Sequence, residues 1–141
     1  MFSKILVPVD GSDNSFRALD RAIFLAKTMG SRLTAMHVIE NPPMVYVESQ
    51  KLLNDLLANY RAESAKVLER CRQTAERSGV KLETVTAEGD AASNITGYAD
   101  KEGFDLITIG SRGLGRFKEM VLGSVSNKVL HHTKCSVLIV K

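Results

Sequence analysis

Five short apolar runs, separated by stretches with helical periodicity, constrain the fold of this chain more than any other feature of its sequence. Each run is nearly continuous in apolar residues, as expected for strands that are buried on both faces of a parallel sheet. Strands that alternate with helices in this way predict a doubly wound α/β fold with helices on both faces. Because crossovers between parallel strands are right-handed, few strand orders are possible, and the flavodoxin-like and Rossmann-like orders are the most common of them. The predicted strands are Ile5–Val9, Leu33–Ile39, Val80–Ala87, Phe104–Ile109 and Ser136–Val140.

The stretches between the strands predict four helices. Residues 13–29 carry apolar side chains at helical spacing, between a capping signal at Ser12 and a C-capping Gly30. Residues 48–78 predict a long helix that would reach ~45 Å, which is longer than a small domain is wide. We therefore expect its first turns to be kinked, frayed or separate, near Ala58–Asn59. The other two predicted helices are residues 91–102 and 117–132.

Composition limits the classes of protein to which the chain can belong. Its 141 residues suit one domain, residues 1–141, and 44% hydrophobic with 25% charged residues is typical of globular proteins. The net charge of +3 is modest and no basic cluster is interleaved with aromatic residues, so nucleic acid is not an expected partner. No apolar run reaches the ~18 residues of a membrane span, and no signal peptide precedes the first strand. With two cysteines outside any metal or disulfide motif, these features predict a cytoplasmic protein without a membrane partner.

A glycine-rich segment after the fourth predicted strand carries the clearest signal for chemistry. Gly110 to Arg116 reads GSRGLGR, and Gly123 to Ser126 follows where the last helix presents its opening N–H groups. Glycine permits positive φ and a close approach of the main chain to a ligand. Successive N–H groups and the positive end of a helix dipole bind anions, and Arg112, Arg116 and Lys118 add positive charge. The segment therefore predicts a phosphate site.

Two familiar nucleotide motifs are absent from this chain. A P-loop requires lysine after its last glycine, but Ser124 follows Gly123. The dinucleotide fingerprint requires three glycines after the first strand, where this chain reads Val9-Asp10-Gly11-Ser12. The phosphate site must belong to another class.

The spacing Gly110-x2-Gly113-x9-Gly123-Ser124 resembles the G-x2-G-x9-G-[ST] signature of the ATP-binding universal stress proteins. Ile5–Asp10 is similar to the first strand of that family and Leu33–Val38 to its second, and the resemblance extends over the whole chain. It implies a five-stranded parallel sheet in the order 3-2-1-4-5, with two helices on each face. In that order a crevice opens where the first and fourth strands end, because their following connections leave in opposite directions.

The resemblance also implies that ATP occupies this crevice, with Mg²⁺ or Mn²⁺ sharing its charge. Adenine would lie beside the first two strands, the ribose and first phosphate beside the glycines after the fourth strand, and the outer phosphates at the last helix. No catalytic residue and no protein ligand for a metal are predicted. The candidate binding residues are Pro8, Val9, Asp10, Val38, Gly110, Arg112, Gly113, Gly123, Ser124, Val125 and Ser126.

Some of these residue types also have a purely structural interpretation. Asp10 could cap the first helix, but Ser12 is better placed to do so, and both roles are compatible. His37, within the second strand, is expected to be a packed and hydrogen-bonded histidine rather than a catalyst. Arg112 fits either a solvated loop or a phosphate contact.

Binding is favoured over fast catalysis, because residues 110–118 contain no Asp, Glu or His that could serve as a base. We therefore predict an ATP-binding regulatory protein with weak hydrolysis at most. An enzyme that hydrolyses ATP or transfers an adenylyl group on the same scaffold is the alternative. A phospho-receiver domain is a weaker one, because Asp10 and Asp13 form a poor acidic pair, although Asp90 follows the third strand.

Two protein partners are considered. Val137–Val140 forms an apolar strand at the sheet edge in the implied order, and exposed edges pair with other chains. Universal stress proteins commonly dimerise there, so the resemblance implies a symmetric homodimer. Residues 41–60 could also present a surface to an unidentified protein partner.

Overall fold

A computed structural model describes residues 1–40, 49–112 and 122–141 of the chain. Strands and helices alternate along these ranges, as the hydrophobic pattern predicts. In chain order they are β1 (Lys4–Pro8), α1 (Asp13–Met29), β2 (Arg32–Ile39), α2 (Gln50–Arg77), β3 (Leu82–Glu88), α3 (Ala91–Lys101), β4 (Leu106–Gly110), α4 (Ser124–His132) and β5 (Ser136–Val140).

The five strands form one parallel sheet in the order β3-β2-β1-β4-β5, which confirms the predicted order. β1 lies at the centre, with Ile5 opposite Leu33 of β2 on one side and Leu106 of β4 on the other. The chain moves outward from β1 to β2 and β3, and then returns past β1 to β4 and β5. The strand order therefore reverses between β1 and β4.

Two apolar cores, one on each face, hold the helices to the sheet. Alternate side chains of β1 point to opposite faces, so Ile5 and Val7 enter one core and Leu6 the other. The first core contains the buried stripes of α1 and α2, and the second contains those of α3 and α4. The prediction of helices on both faces is confirmed.

Local end signals explain where the first helix begins and ends. Ser12 is the N-cap of α1, and its hydroxyl oxygen accepts a hydrogen bond from the Ser15 amide at 3.2 Å. Gly30 closes the helix in the left-handed region, with φ of 70°. Both predicted caps are confirmed.

Helix α2 runs without interruption from Gln50 to Arg77, so the predicted separation of its first turns near Ala58–Asn59 is wrong. Its 28 residues extend ~42 Å. Its buried residues begin only at Ser64, so the first half continues beyond the part that packs on the sheet. A serine cap at Ser49 and good helix formers sustain this half. None of the helices in the described ranges, α2 included, has the length and apolarity needed to cross a membrane.

Helix α4 begins at Ser124, so the predicted start at residue 117 is wrong. Gly123 has an extended backbone, with φ of −69° and ψ of 165°. Its N–H donates to the Ser111 carbonyl at 2.6 Å, which fixes the residue before the first helical turn. Residues 117–121 of the predicted helix lie outside the described residues.

Candidate functional site

A crevice opens at the carboxyl ends of β1 and β4. The two strands pair through Ile5 with Leu106 and through Leu6 with Ile107. Beyond that pairing, the Val9 amide donates to Met36 of β2 at 2.8 Å, and the Ser111 amide donates to Val140 of β5 at 2.7 Å. The two chain segments are therefore bonded to opposite neighbours, which is the arrangement that opens a ligand crevice in α/β sheets of this kind.

Asp10 stands at the end of β1, at the entrance to α1. Its Oδ1 accepts from the Ser12 amide at 2.9 Å and from the Ser12 hydroxyl at 2.5 Å. The same hydroxyl oxygen caps α1. Asp10 is exposed, and its second carboxylate oxygen makes no hydrogen bond to the described residues. The side chain thus supports the helix cap with one oxygen and leaves the other for a ligand.

Gly110 ends β4 directly against the first turn of α1. A Cβ at this position would lie 2.9 Å from the Asn14 carbonyl carbon and 3.0 Å from its oxygen. Neither of the two motif glycines that the structure describes uses positive φ, since Gly110 is not among the residues with positive φ and Gly123 has φ of −69°. Close approach of β4 to α1 explains the need for glycine at Gly110.

The Ser111 carbonyl joins the loop after β4 to the start of α4. It accepts from the Gly123 amide at 2.6 Å and from the Ser126 hydroxyl at 3.0 Å. Ser126 is 3% exposed, and its hydroxyl also lies 3.2 Å from the Gly123 carbonyl. These contacts place Arg112 beside Gly123, where a Cβ on Gly123 would lie 3.4 Å from the Arg112 Cα. Gly113, with Arg116 and Lys118, lies outside the described residues.

The N-terminus of α4 differs from the other helix starts in the described ranges. The side chains of Ser12, Ser49 and Asp90 cap α1, α2 and α3, whereas Gly123 has no side chain to cap α4. The opening N–H groups at the positive end of the α4 dipole therefore have no side-chain acceptor from the cap residue. Ser124 is exposed at the same point. This arrangement suits an anionic ligand.

The remaining candidates line the other side of the crevice. Pro8 and Val9 are buried, and Val9 is only 2% exposed within the core of α1 and α2. Val38 is half-buried and packs against the opposite core, which contains α4. A ligand on the α4 side can therefore contact the Val38 side chain, but it can reach Val9 only through the main chain.

Comparison with known proteins identifies the family. The sequence model of the Universal stress protein family matches residues 1–141. The chain belongs to the universal stress protein family. Universal stress protein YxiE of Bacillus subtilis (strain 168) is 40% identical over 149 residues, with all of both chains covered.

Solved universal stress proteins share this fold. The UspA protein from Lactobacillus plantarum superposes with a TM-score of 0.91 at 27% identity, covering 99% of this chain and 98% of that one. A universal stress protein in complex with cAMP has a TM-score of 0.76 at 26% identity, covering 99% of this chain and 96% of that one. The family resemblance read from the glycine motif is confirmed.

His37 of β2 is a half-buried polar residue of this universal stress protein, next to the candidate residue Val38. Its Nδ1 lies 2.7 Å from the Ser64 hydroxyl of α2, which confirms a packed and hydrogen-bonded histidine. Burial lowers the pKa of His37 below its usual 6.5, and the negative charge of Asp10 opposes part of that shift. The imidazole is therefore mainly neutral at pH 7.

Three residues that contact candidate or neighbouring residues of the site were not anticipated from the sequence. Ser111 organises the loop through its main-chain carbonyl, Asn14 packs on Gly110, and Ser64 partners His37. The glycine motif indicated the position of Ser111, but a contact made by the main chain does not depend on the residue type and cannot be predicted from it. Asn14 and Ser64 stand in ordinary helical patterns that do not distinguish them.

Proposed function

We propose that this universal stress protein is an ATP-binding regulatory protein, which holds ATP with Mg²⁺ or Mn²⁺ in the crevice between β1 and β4. The observation that carries this proposal is that an exposed carboxylate, Asp10, follows β1 and a helix N-terminus without a side-chain cap follows the loop after β4, the two strands between which the strand order reverses. Crevices of this kind are where open α/β sheets bind their ligands.

The phosphate end of the site is assigned to the start of α4. The amides of Ser124, Val125 and Ser126 belong to the opening turn, where N–H groups and the helix dipole favour negative charge. The Ser126 hydroxyl donates to the main chain, so the exposed Ser124 hydroxyl is the better donor to a phosphate. Arg112 adjoins this turn and adds a positive charge. Gly113 stays a predicted contact.

The adenosine end is assigned to the ends of β1 and β2. Asp10 offers a carboxylate oxygen to a hydroxyl or amino group, and Val38 offers an apolar surface and its main chain. A related universal stress protein of the same fold was solved in complex with cAMP, which supports an adenine nucleotide as the ligand.

The divalent cation is proposed to bind as part of the nucleotide complex. The described residues contain no group of three or more His, Cys, Asp or Glu side chains that could hold a metal. Mg²⁺ commonly keeps several waters and takes its other ligands from substrate phosphates. This coordination is compatible with a site whose phosphate end is built from N–H and hydroxyl groups.

Slow chemistry at most is expected from this site. In the described part of the phosphate end, residues 111–112 and 122–126, no carboxylate or imidazole is available to position an attacking water. The arrangement therefore favours holding the nucleotide over cleaving it. Sustained release of ADP at rates near one per second would contradict this part of the proposal.

Calorimetric titration with ATP and Mg²⁺ tests the binding proposal. Gly123→Val places a bulky side chain over the opening turn of α4, and we expect affinity to fall at least about tenfold. Gly97→Val is the matched control, because a Cβ at Gly97 in α3 meets nothing within 4 Å. Absence of binding for ATP, ADP and AMP, or equal affinity in Gly123→Val and the wild type, would refute the site.

A homodimer through β5 is the second part of the proposal. β5 is an edge strand, and Leu138 is 37% exposed there. Leu138→Lys puts a charge on this edge and should shift the protein from dimer to monomer in sedimentation velocity. Leu52→Lys, at a residue of α2 that is 60% exposed, is the control and should leave the dimer unchanged. A monomeric wild type at micromolar concentration would contradict the dimer.

A further inference from the structure

A polar link joins the sheet to α2 within an otherwise apolar layer. His37 of β2 is half-buried, and its Nδ1 lies 2.7 Å from the hydroxyl of Ser64. Ser64 is 1% exposed and belongs to the buried stripe of α2, whose other members are Leu68, Cys71 and Ala75. A buried hydroxyl needs a partner, and the imidazole supplies it.

This link lies at the same junction as the Asp10 loop. The Val9 amide bonds to Met36, which places the end of β1 alongside the residues that follow Met36, namely His37 and Val38. A Cβ on Gly11 would lie 3.5 Å from Val67 of α2, so the loop after Asp10 rests on the same helix as Ser64. A change of charge at His37 is therefore close to both the crevice and α2.

Charged groups on the neighbouring elements also act on His37. From β1, Asp10 raises the pKa of His37 against the larger lowering effect of burial. From α2 and β3, Arg61 and Glu88 pair with each other at 3.1 Å, so their charges largely cancel. The residue opposite His37 on β3 is the neutral Thr86.

We propose that His37 is a positioning residue of the nucleotide site, whose protonation strengthens the binding of an anionic nucleotide. This inference rests on the function proposed above. With His37 neutral, the Asp10 carboxylate presents an unbalanced negative charge to the incoming polyanion. With His37 protonated, the positive imidazolium on the strand next to the end of β1 offsets part of that charge, and its Nδ1–H donates to the Ser64 oxygen.

Linkage fixes the sign of the effect. An anionic ligand favours the protonated imidazole, so binding raises the pKa of His37 and affinity rises as pH falls. Because burial holds the free-protein pKa of His37 below 6.5, the change occurs on the acidic side of neutrality.

The test measures ATP affinity by calorimetry at about pH 7.5 and about pH 5.5 in the wild type and in His37→Asn. The Asn side chain retains a group near Nδ1 that can bond Ser64, but it does not titrate in this range. ATP itself gains a proton between these two pH values, and this changes its affinity for both proteins. For each protein we therefore take the ratio of its affinity at the lower pH to that at the higher pH, and dividing the wild-type ratio by the His37→Asn ratio cancels the contribution of ATP. We expect the wild-type ratio to be at least about threefold larger than the His37→Asn ratio, because only the wild type gains affinity from protonation of His37. His132→Asn, at an exposed residue that ends α4, is the control and should behave like the wild type.

A direct titration of the His37 imidazole by NMR gives a second readout that needs no variant. The pKa of His37 should lie below 6.5 in the free protein and rise when ATP saturates it. If ATP binds but His37→Asn has the same pH dependence as the wild type, or the pKa of His37 does not move, the proposal is overturned and the nucleotide site stands. If ATP does not bind at either pH, both proposals fall.

Discussion

Replacing Gly110 by alanine should destabilise the fold at the point where β4 meets α1. A Cβ at this position would lie 2.9 Å from the Asn14 carbonyl carbon, 3.0 Å from its oxygen and 3.1 Å from its Cβ. Real Cβ atoms avoid contacts this short with main-chain atoms, so one element must move. The start of α1 resists movement, because Ser12 caps it and Asp10 holds Ser12 through two hydrogen bonds.

The expected cost follows from comparison with other overpacked cores. Inserting one methyl group into a closely packed contact costs about 1–3 kcal/mol, and a clash with main-chain atoms of α1 favours the upper half of that range. Gly97→Ala is a matched change in the interior of α3, where a Cβ meets nothing within 4 Å. There the methyl group should stabilise the protein by about 0.5–1 kcal/mol through helix propensity. The two variants should therefore differ by about 3 kcal/mol in free energy of unfolding.

Urea denaturation followed by circular dichroism measures this difference directly. The midpoint of Gly110→Ala should move to lower urea and that of Gly97→Ala to slightly higher urea, with unchanged slopes. A Gly110→Ala protein as stable as the wild type would show that β4 and α1 do not approach as closely as described. The glycine would then have to be explained by the ligand alone.

Three further predictions concern buried or titrating groups. Thr108 is fully buried in β4, and its hydroxyl has no hydrogen-bond partner among the described residues. Thr108→Val should therefore stabilise the protein by about 1 kcal/mol in urea denaturation. A loss of stability would instead show that the hydroxyl has a partner. Burial raises the pKa of the Cys71 thiol to about 11, whereas Cys135 is half-buried. A thiol reagent such as DTNB at about pH 8 should therefore label Cys135 in the folded protein, and Cys71 only when the protein unfolds. The folded state lowers the pKa of His37, so the unfolded state takes up a proton first as pH falls through 6.5 and the folded state loses stability. This loss of stability should be smaller in His37→Asn than in the wild type. Equal losses in the two proteins would contradict the burial of the imidazole.

Much of the architecture was predictable from local sequence. Apolar runs such as Ile5–Val9 and the signals at Ser12 and Gly30 act over a few neighbouring residues, so strands and caps follow from the residues themselves. The reversal between β1 and β4 followed from the resemblance to the universal stress proteins, and the structure and the family match confirm it. The position of the crevice is thus a property that the sequence already contained.

The tertiary structure alone decided how the ends of the site are built. The predicted helix of residues 117–132 begins too early, because the Ser111 carbonyl accepts from the Gly123 amide and α4 begins at Ser124. Likewise, length argued against one continuous α2, whereas a helix can extend beyond the sheet when only its second half has to pack. The start of α4 depends on a contact between loop segments, which a pattern of near neighbours does not encode. The first half of α2 depends on its serine cap and helix formers, and only the tertiary structure shows that it extends beyond the sheet.

The same distinction applies to the binding residues. The sequence, through its resemblance to the universal stress proteins, predicted that the glycines, a serine-rich helix start and Asp10 would line one crevice. Only the tertiary structure decided that Gly110 packs against Asn14, that the Ser126 hydroxyl is directed to main-chain oxygens, and that His37 pairs with Ser64. The physical reason is that the chemistry of a residue limits which contacts its side chain can make, whereas tertiary packing determines which of those partners lies within reach.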